Sequence, residues 1–134
     1  MEIKRNEATL NRPEGDRVLD ALYVFMDIPG YIRQLKDESA WEKNDRNGIT
    51  VFKTDNLSMV LTAFHDKAVI KDNRVEGLVT LQVMEGMFRV NTIDGDIDLK
   101  EKQMLTLHSN EPHSIEALGE AVLLISHYTG LESM

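Results

Sequence analysis

Two of the four histidines in this 134-residue chain fall in one short stretch, HSNEPHSIEA (108–117). They are His108 and His113, and Pro112 lies between them. Near neutral pH an imidazole can ligate a metal, move a proton or anchor a polar ligand. A third histidine, His65, ends the run LSMVLTAFH (57–65). Strand alternation puts Met59, Leu61, Ala63 and His65 on one face of that run. It also groups Val79, Leu81 and Val83, and further on His113, Ile115 and Ala117. His65 and His113 therefore each extend an apolar face. An inward histidine either looks into a cavity or is satisfied by a backbone carbonyl, and both readings stay open here.

Other chemistries have weaker support. There is no cysteine, which excludes disulfides, thiolate metal sites and cysteine nucleophiles. Ser109 and Ser114 lie near histidines but show no nucleophile elbow. Asp94, Asp96 and Asp98 alternate after a turn without the rest of a calcium loop, as expected of a solvated hairpin face. Gly77 and Gly86 punctuate strands and form no phosphate loop. Met59, Met84, Met87 and Met104 read as core or interface filler.

Charge narrows the partners. The net charge is -8, from 23 acidic against 15 basic residues. Such a field repels nucleic acid and anionic membrane, and no Lys/Arg cluster interleaves with aromatics. No apolar stretch reaches membrane-spanning length, and MEIKRNEATL lacks the apolar centre of a signal peptide. The expected location is a reduced cytoplasm.

The elements that must hold the histidines follow from periodicity. Residues 1 to about 20 read as an irregular arm, with Pro13 and Gly15 as breakers and room for a short strand. Asp27 is placed to cap a short helix with Ile28, Ile32 and Leu35 on one face. NDRNG (44–48) is a turn signal. From Ile49 the period becomes two. ITVFK (49–53) and LSMVLTAFH form a hairpin through Thr54-Asp55-Asn56. GLVTLQVMEGMFRV (77–90) alternates and bends at Gly86, and Asp94-Gly95 marks a tight turn. IDL (97–99), QMLTLH (103–108), HSIEAL (113–118) and EAVLLISHY (120–128) complete a set of short strands. This spacing predicts an all-β sandwich or barrel.

VTLQVMEGMFRV and QMLTLHSNEPHSIEA resemble the two conserved segments of the cupin superfamily, in its small RmlC-like members. Gly86 matches the glycine ending the first segment, and Pro112-His113 the Pro-His of the second. The resemblance covers roughly residues 57 to 126. It implies a double-stranded β-helix, or jelly-roll barrel, over 49–134, with residues 1–48 as an arm and short helix packed on it. It also implies an active site inside the barrel and frequent dimers.

The departures concern the ligands. The family's first motif reads G-x5-H-x-H-x(3,4)-E-x6-G. Counting back from Gly86 puts its glutamate at Val79. Its histidines fall at Asp72 and Arg74, or at Asn73 and Val75 in the shorter register, and its opening glycine at Asp66 or Lys67. The second motif, G-x5-P-x-G-x2-H-x3-N, gives Lys102, His108, Asn110, His113 and Ala117. Asparagine at 110 suits a left-handed turn in place of glycine. Of the usual ligands His113 alone remains, and the expected strong metal site is none. A divalent ion at His65, His108 and His113 is the weaker alternative.

The first reading is thus a barrel of unassigned reaction that binds a small organic molecule. Met59, Leu61, Val79, Leu81 and Ile115 would form its apolar wall, with His65, His108 and His113 as polar anchors. The alternative is a metal-dependent or metal-free enzyme of oxygenase, isomerase or epimerase type using His113 with His65 or His108. The third is an interaction dimer whose barrel is filled by its own side chains. A homodimer is expected in any case, because LYVFM (22–26) needs covering.

Overall fold

A computed structural model of the chain describes residues 2–9, 12 and 17–130. Pro13 and Gly15 lie outside the described residues. The elements run β1 (Lys4–Asn6), β2 (Arg17–Asp20), α1 (Ile28–Asp37), α2 (Ser39–Lys43), β3 (Arg46–Lys53), β4 (Leu57–Phe64), β5 (Val69–Ile70) and β6 (Leu78–Glu85). There follow β7 (Met87–Thr92), β8 (Gly95–Lys100), β9 (Met104–Leu107), β10 (Ser114–Ala117) and β11 (Ala121–Tyr128). One sheet has the order β3-β4-β11-β6-β9, a second the order β5-β10-β7-β8, and β1-β2 forms a separate ribbon. All described pairings are antiparallel.

The two larger sheets close over one apolar core. The first contributes Phe64, Val79, Leu81, Val83, Leu107 and Leu123, and the second Phe88, Val90, Leu99, Ile115 and Ala117. Phe64 and Phe88 meet edge to face, centroids 5.2 Å apart, an arrangement their ring quadrupoles favour. The chain crosses between the sheets at Gly86, as the break in alternation suggests. Its φ is +77°, and a Cβ there would lie 2.8 Å from the Ala121 Cβ and the Glu120 carbonyl. A side chain is excluded on both counts.

A second apolar layer covers the other face of the β3-β4-β11 sheet. Ile32 and Leu35 of α1 and Trp41 of α2 pack on Ile49, Val51, Leu61, Ala63, Val122 and Leu124. Strands β4 and β11 are thus buried on both faces, and Ala121–Leu124 are all buried in succession. Helix α1 begins as its sequence suggests: Asp27 accepts the Gly30 N–H, and Pro29 sits in the first turn. No helix among the described residues is long and apolar enough to cross a membrane.

NDRNG proves to be only half a turn. Strand β3 begins at Arg46, ahead of the expected Ile49. The cause is Asn47, buried with its amide donating to the Leu35 carbonyl at 2.9 Å and to Glu38 Oε1 at 2.9 Å. These bonds fix as strand a segment whose composition favours a turn. The Asp94-Gly95 turn is present, but Ile93 and Asp94 form the bend and Gly95 follows it in the left-handed region, φ +116°.

Glu38 ties three segments together. Arg12 donates to both its oxygens, Nε at 2.8 Å and Nη2 at 2.7 Å. Asn47 of β3 and Gln34 of α1 also donate to it. Burial pushes the Glu38 carboxyl upward, but the hydrogen bonds from Arg12, Asn47 and Gln34 outweigh burial and hold it below the usual glutamate range. A depressed carboxylate stabilises the fold above about pH 4.5, its ordinary value, and that stability is lost as pH falls through the lowered one. Glu38→Gln should therefore cost about 1–3 kcal/mol at pH 7 by urea unfolding. The gap to the parent should narrow in acid. An equal gap at pH 7 and pH 3 would contradict this assignment.

Candidate functional site at the His113 end of the barrel

His113 precedes β10 and is 4% exposed. Its Nδ1 lies 2.9 Å from the Glu111 carbonyl. A carbonyl only accepts, so Nδ1 carries the proton and Nε2 accepts from the Asn73 amide at 3.0 Å. The Asn73 backbone N–H also donates to the His113 carbonyl at 2.7 Å. The imidazole is therefore fixed in one tautomer with both nitrogens occupied.

This contact involves the shorter of the two motif registers. Asn73 stands where the family pattern has its first histidine, Val75 takes the second, and Val79 takes the glutamate. The backbone agrees: Lys67, at the opening-glycine position of that register, has φ +69°. Lys102 and Asn110, at the two glycine positions of the second motif, have φ +72° and +62°. All three positions hold left-handed backbone without a glycine.

The structure divides the predicted site residues between two layers. Val79, Leu81 and Ile115 lie in the core between the sheets, at most 2% exposed. Met59 and Leu61 belong to the opposite layer, under the helices. His65 goes with them: its ring stacks on Trp41 with centroids 3.5 Å apart, and its Nε2 donates to the Trp41 carbonyl at 2.7 Å. His108 is exposed in the turn before Glu111. The three histidines are not brought together. Alternation did group Met59, Leu61 and His65 on one face, but that face turns away from the barrel.

The fourth histidine belongs to the barrel face and was missed. His127 of β11 lies opposite Val79 of β6 and Ser58 of β4. Its Nε2 donates to the Glu76 carbonyl. The alternation Leu123, Ile125, His127 was the available signal.

A hollow of about 150 Å³ opens beside His113, lined also by Asp72, Asn91, Thr92, Ile93, Pro112 and Ser114. The Ser114 hydroxyl accepts the Asp72 N–H at 3.3 Å, and Thr92 donates to the Gly95 carbonyl at 2.8 Å. The donor set does not fit the metal the fold family implies. The four motif positions supply one imidazole already engaged, one amide and two valines. Among the described residues no three histidine or carboxylate side chains are grouped to hold an ion.

No protein-family model and no curated protein matches the sequence. Solved structures do match the fold. A cupin superfamily protein from Desulfitobacterium hafniense superposes with a TM-score of 0.63 at 18% identity, covering 65% of this chain and 80% of that one. An RmlC-like cupin from Shewanella frigidimarina gives 0.60 at 16%, covering 66% and 79%. KdgF from Halomonas sp. gives 0.56 at 18%, covering 67% and 84%. Such identities carry the fold and not the chemistry, so metal affinity is left to the donors above. Micromolar zinc, nickel, manganese or iron(II) should leave the melting temperature unchanged. A saturated native-state site would raise it by several degrees, about 2.7 kcal/mol at one hundred times its dissociation constant. A rise abolished by His113→Ala would show that a metal binds there. In strand order, in the corner at Gly86 and in its structural neighbours, this chain has the fold of the small RmlC-like cupins.

Proposed function

We propose that this chain is a binding barrel that takes a small polar organic molecule in the hollow beside His113, without a metal and with no reaction assigned. The hollow itself carries the reading: about 150 Å³ where a buried imidazole, a carboxylate and several hydroxyl or amide groups meet Ile93 and Pro112. That volume suits roughly six to eight heavy atoms. The hollow's lining is mostly polar, with Ile93 and Pro112 as the apolar part, and oriented polar groups of this kind are what fix a small polar ligand. In this reading His113 holds the wall in place, through Asn73 and Glu111. An enzyme using His113 as ligand or base needs a free ring nitrogen, and Asn73 occupies Nε2. Val79, Leu81 and Ile115 fill the interior, which moves the ligand from the barrel centre to its end.

The test is a thermal-shift screen with hydroxy acids, amino acids and short polyols. At least one class should raise the melting temperature by about 2–4 °C at saturation. Asn91→Trp, at an exposed wall position, should abolish the rise. His113→Ala should weaken binding about tenfold, since the Asp72–Asn73 wall loses its lock. A screen with no response, or a response intact in Asn91→Trp, would overturn the proposal.

A second reading concerns assembly. Leu22 and Tyr23 are each 86% exposed and Phe25 85%. With the exposed Ile3, they offer on the order of 600 Å² per chain, near the ~800 Å² per partner of a stable interface. A second copy presents the same surface and satisfies it in a two-fold pairing. Light scattering at about 10 μM should report a dimer, and Leu22→Glu with Phe25→Glu a monomer. A monomeric parent protein at that concentration would remove this reading.

A further inference from the structure

We propose that the hollow beside His113 selects a small amino alcohol, an ammonium carried on a hydroxylated carbon chain, over the matching polyol and hydroxy acid. This rests on the reading of that hollow as a ligand site and adds the ligand's charge. Most of the wall's hydrogen-bonding groups are already spent. His113 has both ring nitrogens engaged, by Glu111 and Asn73. The Thr92 hydroxyl donates to the Gly95 carbonyl and accepts the Asp94 N–H. The Ser114 hydroxyl accepts the Asp72 N–H, which leaves its own proton to donate. Asn91, the cross-strand partner of Ser114, gives one amide proton to Asp96 Oδ1 and keeps its carbonyl. The Asp72 carboxylate is exposed and makes no hydrogen bond or ion pair with any described residue.

What remains to a ligand is one carboxylate, one amide and one hydroxyl, with no positive side chain among the lining residues. The uncompensated charge selects a cation. The amide and the hydroxyl select groups that both donate and accept, as alcohols do. An ammonium meets the carboxylate with up to three donors, and Ile93 and Pro112 take the carbons between the polar groups. The backbone holds Asp72 at this place. Its φ is +49°, its N–H donates to Ser114, and its carbonyl accepts the Arg74 N–H at 2.8 Å. That left-handed conformation is one a side chain ordinarily disfavours. A net charge of -8 over the whole chain adds attraction for a cation and repulsion for a hydroxy acid.

Serinol, glycerol and glycerate isolate the charge. Serinol is glycerol with an ammonium in place of the central hydroxyl, and glycerate is glycerol with one end oxidised to a carboxylate. Amide chemical shifts of the full chain, titrated with serinol, should saturate at residues 72, 91–93 and 112–114, with a dissociation constant on the order of millimolar. Glycerol should bind about three- to fivefold more weakly, the range of a solvent-exposed ion pair, and glycerate more weakly again. Salt at about 0.5 M should close the gap between serinol and glycerol. Asp72→Asn removes the charge and keeps a side chain that tolerates left-handed backbone. It should weaken serinol by the same factor and leave glycerol unchanged. Glycerol or glycerate binding at these residues as tightly as serinol, or serinol binding equally in Asp72→Asn, would overturn the charge assignment while the hollow stood as a ligand site. No saturation with any of the three by about 100 mM would remove both readings.

Discussion

The β3-β4-β11 sheet must bury both of its faces, and the rest of the architecture follows from that constraint. One face closes against the second sheet over Phe64, Leu81 and Leu123, and the other is covered by Leu35 and Trp41 of the helices. Neither cover is dispensable, because Ala121–Leu124 leave no polar face to present to water. The helices act as the second wall of a three-layer domain. The arm is held to that wall by the Arg12–Glu38 ion pair, at 2.7 Å with both carboxylate oxygens engaged. Paired on both sides, the Glu38 carboxylate can be half-buried without being orphaned.

The same constraint separates the histidines. A strand buried on both faces sends consecutive side chains into different cores. His65 enters the helical layer and spends its ring on Trp41 by stacking and by a hydrogen bond to its carbonyl. His127, on the barrel face of β11, is engaged by the Glu76 carbonyl. His113 is engaged by Asn73 and Glu111. Each of these rings is satisfied locally, and for the buried His113 low-dielectric surroundings require it. The barrel has the fold of the small RmlC-like cupins, and its side chains at the ligand positions of the motif are apolar or amide apart from His113. Lys67, Lys102 and Asn110 hold left-handed backbone that ordinarily favours glycine. Their conformations cost something of order 1 kcal/mol each and are maintained by the strands they join.

Much of the fold was legible in the order of residues. Asp27 announced its helix, Thr54 its hairpin, and Gly86 the corner between sheets, because each is a local demand of the backbone that few residue types meet. Asn47 shows the limit. NDRNG has turn composition, yet Arg46–Gly48 are strand because a buried amide found partners on α1 and Glu38 that lie distant in sequence. The candidate site was legible in part. His113 was identified from the apolar strand face that it extends and from the Pro112-His113 pair, and Asn73 as one of two alternatives, the one that the structure places against His113. His127 carried a visible alternation that attention to the Pro-His segment obscured.

The sequence by itself determined the period-two strands, the corner and turn positions, and which side chains share a strand face. These depend on neighbours along the chain, whose geometry the peptide backbone sets. Only the tertiary structure decided which of the two faces looks into the barrel. Met59, Leu61 and His65 form as apolar a row as Val79, Leu81 and Ile115, and periodicity cannot rank two apolar faces of a sheet buried on both sides. That choice is made when α1 and α2 cover one face and the β5-β10-β7-β8 sheet covers the other. The unpartnered Asp20 and the exposed Leu22, Tyr23 and Phe25 were settled at the same level, since burial belongs to the packed molecule and not to the residue.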